Sequence, residues 1–420
     1  MNSKTHKFKK YYPWLVVALL WVVALLNYMD RQMLSTMQQA MKVDIAELNR
    51  AEAFGALMAV FLWIYGIVSP FAGIIADRLS RKWLVVGSLF VWSAVTFLMG
   101  YANSFNQLYW LRAFMGISEA LYIPSALSLI ADWHEGRSRS LAIGVHMTGL
   151  YVGQAVGGFG ATLAAMLSWQ SAFHWFGIVG IVYSVVLILL LHENPKHGQA
   201  QPTAITEHPT PNTQQGSLFK GLGVVLSTWA FWVILFFFAA PSLPGWATKN
   251  WLPTLFAESL DIPMSSAGPL STITIAVSSF VGVLFGGWLS DRWVQRNLRG
   301  RIYTSAIGLG MTIPALLLLG VGHSLLAVVG AGLLFGVGYG MFDANNMPIL
   351  CQFISSKYRA TAYGIMNMTG VFAGALVTQI LGRWTDGGNL GFGFALLGGV
   401  VALALALQLI CLRPVTDNKE

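Results

Sequence analysis

Charge is scarce in this 420-residue chain: Asp, Glu, Lys and Arg make up 10% of it and hydrophobic residues 55%, where a soluble globular protein carries about a quarter charged residues. That scarcity leaves no room for a large soluble domain. Cysteine is scarcer still. Cys351 and Cys411 are too few for a disulfide framework or a thiolate metal set, and both read as inert packing residues near helix ends. Also missing are a His/Asp/Glu cluster at metal-ligand spacing and a nucleophile with a local base, so the chain does not read as an enzyme: no catalytic residue, metal or cofactor is expected. The start imitates a signal peptide, but the apolar run after Lys4, Lys7, Lys9 and Lys10 is too long and lacks a small-residue cleavage site; it reads as a retained first helix.

What fills the chain is apolar runs of membrane-spanning length, each needing roughly 20 residues. Runs bounded by polar, Gly or Pro punctuation predict helices over 12–37, 51–76, 83–102, 106–132, 139–165 and 170–192, then 222–247, 264–289, 302–321, 325–353, 359–383 and 389–412. Between the sixes, Pro195, Pro202, Pro209 and Pro211 with Thr and Gln mark a flexible linker. The expected organisation is an N-terminal six-helix bundle over 1–192, a cytoplasmic linker over 193–221 and a C-terminal six-helix bundle over 222–420.

The net charge of +8 is explained by where the bases fall, with no nucleic acid as partner. With the N-terminus inside, the cytoplasmic segments collect Lys4 to Lys10, Arg78, Arg81, Lys82, Arg137, Arg139, Lys196, Lys220, Arg292, Arg296, Arg299, Arg301, Lys357, Arg359, Arg413 and Lys419, while the outer loops hold only Lys42, Arg50, Lys249 and Arg383. This bias places both termini in the cytoplasm. In a bacterium the chain would sit in the plasma (inner) membrane, as a monomer in the lipid bilayer.

The two halves repeat each other. Gly73-x-x-x-Asp77-Arg78 recurs as Gly287-x-x-x-Asp291-Arg292, and Arg139-x-x-Ala142-x-Gly144 recurs as Arg359-x-x-Ala362-x-Gly364. Parallel repeats of this kind place a binding site at their interface near the midplane. The run Gly73 to Lys82, with Ser80 where the usual pattern has glycine, resembles the signature loop of the major facilitator superfamily. The resemblance covers essentially the whole chain and implies an all-α membrane protein with twelve transmembrane helices in two pseudo-symmetric halves. It also implies a conformational latch at Gly73, Asp77, Arg78, Arg81, Asp291 and Arg292. Gly149-x-x-x-Gly153-x-x-x-Gly157-Gly158 in the fifth span resembles that family's glycine-rich motif, with Gln154 in place of the usual proline; small residues at this spacing let two helices approach closely.

Ionisable residues inside the spans carry the functional expectation. Asn27-Tyr28-Met29-Asp30-Arg31 sits in the first apolar run, where each charge costs about 2.5 to 3.5 kcal/mol at a helix centre unless it faces protein or water. Adjacent helix residues point about 100° apart, so one of the pair faces a central path and the other a neighbouring helix. In the fourth span Arg112 and Glu119, seven residues apart, share nearly one face. A carboxylate whose arginine partner leaves on substrate arrival changes its proton occupancy, which is a physical route to proton coupling. Weaker candidates for the cavity are Tyr65, Tyr122, His146, Gln154, Asn345, Asn346 and Asn367. Asp343 reads as a hydrogen-bond acceptor at a cytoplasmic end. Trp251 and Pro253, after a break at Pro241, Pro244 and Gly245, are expected to shape the outer gate.

Asn-Tyr-x-Asp-Arg in the first span with Arg-x-x-x-Gly-x-x-Glu-Ala and Pro124 in the fourth is similar to the anion:cation symporters, which include sugar-acid transporters. It is also similar to the Spinster lipid transporters, which carry a comparable Arg-Ser-Arg, here Arg137-Ser138-Arg139. The first resemblance implies a proton-coupled symporter importing a small organic anion such as a hexonate or hexuronate. Asp30 and Glu119 would then be protonation sites, Arg31 a ligand for the substrate carboxylate and Arg112 the partner of a carboxylate. The second implies an exporter or facilitator of a lysolipid or other amphipathic lipid.

Overall fold

The computed structural model describes residues 2–134, 137–194, 226–227, 229–354 and 359–413, without the side chains of 2–10, 73, 74, 77, 78, 137, 140, 360 and 361. In chain order the helices are α1 (Asn2–Met41), α2 (Ala51–Arg78), α3 (Arg81–Met99), α4 (Phe105–Ala120), α5 (Tyr122–Trp133), α6 (Arg137–Gly157), α7 (Gly160–Met166) and α8 (Trp169–Leu190). After the linker come α9 (Trp229–Leu260), α10 (Met264–Val294), α11 (Gly300–Val321), α12 (Leu325–Asp343), α13 (Asn346–Phe353), α14 (Arg359–Asp386) and α15 (Leu390–Cys411). They make twelve spans. Among the described residues eleven are long and apolar enough to cross a membrane; α6 with α7, which carries His146, Gln154 and many glycines, is the more polar twelfth.

Three predicted spans are each broken in two. Pro124 has no N–H for the Ala120 carbonyl, and the fourth span divides there into α4 and α5. Ser88 donates to the Ser118 carbonyl beside the break at 2.5 Å, which replaces part of the lost bonding. The fifth span breaks at Gly158 and Phe159, and the tenth at Ala344 and Asn345.

The seventh span departs furthest from expectation. Its prolines and Gly245 predicted a break near 247, yet α9 runs unbroken to Leu260. It ends where Asp261 takes a left-handed φ of 51° and the Ile262 N–H donates to the Ala257 carbonyl at 3.2 Å, a Schellman-type stop with Pro263 after it. A proline removes one backbone bond, and a membrane helix tolerates that where a neighbour supplies the missing partner. Lys249, assigned to an outer loop by sequence, therefore lies inside a helix.

The chain divides into two compact units. The first comprises Met1–Ala200, Lys249–Ala257 and Asp261–Ile273; the second comprises Gln201–Thr248, Glu258–Leu260 and Thr274–Glu420. The linker expected over 193–221 falls, from residue 195 on, outside the described residues.

In the first unit α1 is the central helix, and α6 with α7 is fitted to it. A Cβ on Gly149, Gly157 or Gly160 would stand 2.6–2.7 Å from the carbonyl oxygens of Trp21, Met29 and Met33, and one on Gly153 would strike the Leu25 carbonyl. The Thr36 hydroxyl accepts from the Ala161 N–H at 3.0 Å, satisfying an open donor at the start of α7. In the second unit, Trp246 lies against Gly374 and Tyr339 against Gly245. Cys351 is half-buried and Cys411 is exposed. The latter is thus not the packing residue it was expected to be, because α15 ends there with that face uncovered.

Candidate functional site

Gly116 on α4 opens the site. A Cβ there would stand 2.8 Å from the Phe61 carbonyl oxygen, so only glycine lets α2 lie this close. The close approach brings Phe61 and Tyr65 of α2 against the face that carries Arg112 and Glu119. From α1, Arg31 enters the same space.

Glu119 is 0% exposed. Its Oε2 accepts from Arg31 Nε at 2.6 Å and from Asn27 Nδ2 at 2.9 Å. The Arg31 guanidinium also lies 4.8 Å from the ring centres of both Phe61 and Tyr65, and 5.2 Å from that of Tyr28. Asp30 turns the other way, as its place beside Arg31 on a helix requires, and accepts from the Thr96 hydroxyl of α3 at 2.6 Å. It is 6% exposed and borders a small cavity lined with Trp92, Ser93, Thr96 and Phe176.

Arg112 is 4% exposed and makes no ion pair among the described residues. Its contacts are the Met115 sulfur at 3.1 Å and the Phe61 ring centre at 4.6 Å; its Nε has no hydrogen-bond partner. A desolvated cation–π contact is worth about 2 kcal/mol, whereas burying an ion costs several kcal/mol after relaxation. Local contacts therefore leave its charge uncompensated, with Glu119 and Asp30 acting on it from further off. Orphaned polar atoms gather here: Asn27 Oδ1, Arg31 Nη2 and Glu119 Oε1 are likewise buried without partners. Chemically this is a buried cluster of hydrogen-bond donors and acceptors, with one arginine committed and one not.

The pairing corrects one expectation. Arg112 was expected to be the partner of a carboxylate, but Glu119 holds Arg31, and Arg112 makes no ion pair among the described residues. A second correction concerns Tyr122, whose buried hydroxyl donates to the Leu20 carbonyl at 2.9 Å; it braces α1 and is not available to a ligand. Tyr65 does join the cluster.

The remaining candidates lie apart from it or in the second unit. His146 is fully buried on α6 beside Tyr122, ring centres 6.1 Å apart, and neither ring nitrogen has a hydrogen-bond partner. Gln154 is buried on α6. Asn345 and Asn346 stand at the break between α12 and α13, where Asn345 Nδ2 donates to the Met341 carbonyl at 2.8 Å and Asn346 Nδ2 to Asp343 at 3.2 Å. Asp343 is thus an acceptor, on an exposed residue. Asn367 is half-buried on α14. Trp251 is buried against Phe54, ring centres 6.2 Å apart.

The side chains of Gly73, Asp77 and Arg78 lie outside the described residues. Arg81 pairs with Asp132 and donates to the Ser128 carbonyl at 3.3 Å, tying the start of α3 to α5. Asp291 lies 3.9 Å from Arg301, and Arg292 stands 5.8 Å from the Trp288 ring centre.

Asn27, Tyr28, Phe61 and Thr96 were not singled out as site residues. Asn27 and Tyr28 stood in the charged stretch itself. Thr96 was visible as a polar residue in an apolar run, while nothing distinguished Phe61 from a core aromatic.

Curated relatives and solved structures agree with this architecture. The chain is 26% identical over 416 residues to the sodium-dependent phosphate transport protein 1, chloroplastic, of Arabidopsis thaliana, covering 92% of this chain and 78% of that protein. It is 24% identical over 428 residues to the D-galactonate transporter of Escherichia coli O6:H1, covering 95% of each. Among solved structures, a bacterial homolog of the human lysosomal transporter Spinster, inward-facing and occupied, superposes with a TM-score of 0.78 at 19% identity, covering 95% of this chain and 97% of that one. The Major Facilitator Superfamily model matches residues 20–378. The chain therefore belongs to the Major Facilitator Superfamily and is a membrane transporter, not an enzyme.

Proposed function

We propose that the protein is a proton-coupled symporter that brings a small organic anion, of the hexonate or hexuronate kind, into the cell by alternating access. The supporting observation is Arg112, a buried guanidinium with no ion pair among the described residues, one aromatic ring away from a second guanidinium held by Glu119. An incoming carboxylate compensates Arg112. Protonation of Glu119 releases Arg31 to join it, so one proton enters for the anion's one charge and the buried groups with the anion stay neutral; protonation of Asp30 brings a second proton and leaves the site positive by one.

In this reading residues 1–192 and 222–420 are the moving bodies, joined by the 193–221 linker, with both termini cytoplasmic in a plasma membrane and the protein working as a monomer. Gly73, Asp77, Arg78, Arg81, Asp291 and Arg292 latch one state and release the other. The names of the galactonate and phosphate relatives support an anion as cargo; the phosphate relative makes sodium the alternative coupling ion. The Spinster likeness carries the fold alone, and the lysolipid reading has no observation of its own.

The test is uptake of labelled hexonate into proteoliposomes under an inward proton gradient, an inward sodium gradient or neither. The wild type accumulates substrate with the proton gradient only, and Asp30→Asn and Glu119→Gln lose that dependence. Accumulation driven by sodium, or gradient dependence intact in both variants, overturns the proton assignment.

A further inference from the structure

Helix α10 keeps one face uncovered along its course through the second unit. Val277, Val281, Leu284, Phe285 and Trp288 are 48–59% exposed. At about 100° per residue these five and Arg292 fall within one stripe about 100° wide. The other side of the helix is packed: a Cβ on Gly282 would strike the Val337 carbonyl of α12, and one on Gly286 would stand 2.6 Å from Met341 Cα. The stripe therefore points away from the protein, which for a membrane transporter means toward lipid.

Val277 to Trp288 covers about 16 Å along the axis, close to half of a hydrocarbon core of about 30 Å. An apolar stripe of one leaflet's depth that ends in a tryptophan puts Trp288 at the membrane interface, where indole rings are enriched. One turn further, at headgroup depth, the polarity changes. Arg292 stands 5.8 Å from the Trp288 ring centre, within reach of a cation–π contact. These two line a groove of about 490 Å³ with Asp291, Gln295 and Arg296. Both arginines are exposed, and neither makes an ion pair or a side-chain hydrogen bond among the described residues. Asp291, the carboxylate in that lining, lies 3.9 Å from Arg301 of α11. Arg292 and Arg296 against Asp291 leave the lining positive by one charge, and Arg301 beside it makes two.

We propose that this groove binds one anionic phospholipid from the leaflet at the C-terminal end of α10, with its phosphate between Arg292 and Arg296 and an acyl chain along the stripe. A phosphodiester offers paired oxygens to the planar fork of a guanidinium. Its glycerol then lies at the level of the Trp288 ring, and its chain covers Phe285, Leu284, Val281 and Val277. A soluble phosphate would satisfy the arginines and leave the stripe unused; the joining of charge to an apolar face one leaflet deep selects the lipid. A zwitterionic headgroup would bring a cation of its own to a lining already positive. Arg292, proposed above as part of the latch, has the lipid phosphate as its partner in the state described. The site belongs to the second unit and depends on neither the cargo nor the coupling ion.

The experiment is tryptophan quenching of full-length protein in vesicles of phosphatidylglycerol and phosphatidylcholine, with one lipid at a time brominated high on its acyl chains. The difference between wild type and Trp288→Phe isolates quenching at Trp288, and each further variant is measured with and without that change. Phosphatidylglycerol is expected to hold the site with a preference of about fivefold over phosphatidylcholine, the net of two arginines against one carboxylate at about fivefold per charge. Arg292→Gln combined with Arg296→Gln should erase the preference, Asp291→Asn should raise it about fivefold, and added salt should weaken it. Equal quenching by the two lipids in wild type, or a preference unchanged in the double variant, overturns the proposal and leaves ordinary lipid contact. Loss of the phosphatidylglycerol effect on adding millimolar inorganic phosphate overturns it in favour of a soluble anion. Should the double variant fail to fold, Arg296→Gln and Asp291→Asn decide, since they must move the preference in opposite directions. The readout is lipid binding at equilibrium and needs no transport.

Discussion

Thr96 gives Asp30 the one hydrogen-bond donor that reaches its carboxylate from α3, at 2.6 Å, and the same hydroxyl lies 3.0 Å from the Trp92 carbonyl of its own helix. A hydroxyl has a single hydrogen and two acceptor lone pairs. With Asp30 ionised, the hydrogen goes to the carboxylate. With Asp30 protonated, the hydroxyl can accept from the acid and turn its own hydrogen to Trp92. Thr96 therefore suits both protonation states without moving a helix.

The pH dependence of uptake tests this directly. Thr96→Val removes the hydroxyl at nearly constant shape and should displace the pH midpoint of proton-driven uptake by about one unit, the equivalent of one hydrogen bond. Thr96→Ser should keep the wild-type profile. A Thr96→Val profile that overlays the wild type would show that Asp30 does not carry the proton.

Arg31 and Arg112 should respond oppositely to neutralisation. Arg31→Met leaves Glu119 buried without its cation, and breaking a buried pair this way costs about 3–5 kcal/mol. Arg112→Met removes a buried charge that has no ion pair among the described residues, so the ligand-free protein should melt at or above the wild-type temperature while its ligand-induced thermal shift disappears. Melting curves of both variants, with and without hexonate, check the pair; a large loss of apo stability in Arg112→Met would contradict this account of its charge.

The fit of α6 to α1 predicts a steep contrast between two glycines. Gly153→Ala forces a methyl against the Leu25 carbonyl, and overpacking of this kind costs typically about 1–3 kcal/mol. Gly144 on the same helix has nothing within 4 Å of an added Cβ, so Gly144→Ala should be neutral or slightly stabilising. Thermal denaturation in detergent, monitored by tryptophan fluorescence, separates them.

Neutralising the Arg81 and Asp132 pair should change turnover more than affinity. The pair ties α3 to α5 away from the charged cluster, so Asp132→Asn is expected to leave the substrate KM within about twofold while changing Vmax several-fold, as conformational steps often set transport and catalytic rates. A changed KM with an intact Vmax would place Asp132 in substrate binding.

Much of this architecture was legible in the sequence because a bilayer imposes one length and one polarity on every span. The four charged residues Asp30, Arg31, Arg112 and Glu119 stood out for the same reason: each is conspicuous against apolar neighbours. Their pairing was not legible. Helical spacing placed Arg112 and Glu119 on one face, but whether Glu119 would take Arg31 or Arg112 depends on how α1 is set against α4, which the spacing along one helix does not give. Phe61 was invisible because an aromatic that supports two guanidiniums has the same composition as one that fills a core. Lys249 was misplaced by a sound rule, that proline-rich runs end helices, which fails where a side chain supplies the missing hydrogen, as Gln32 Nε2 does for the Lys249 carbonyl at 2.8 Å.

The row of α1 carbonyls seated on Gly149, Gly153, Gly157 and Gly160 constrains how the protein can work as a machine. Ridges meshed one turn apart oppose sliding by less than a full helical step, and rotation would drive a carbonyl into a neighbouring side chain. Helices α1 and α6 must then travel as a single shaft. The bearing of Asp30 and Arg31 on α6 then stays constant through a transport cycle, which leaves side-chain pairings and protons as the gears that change around them.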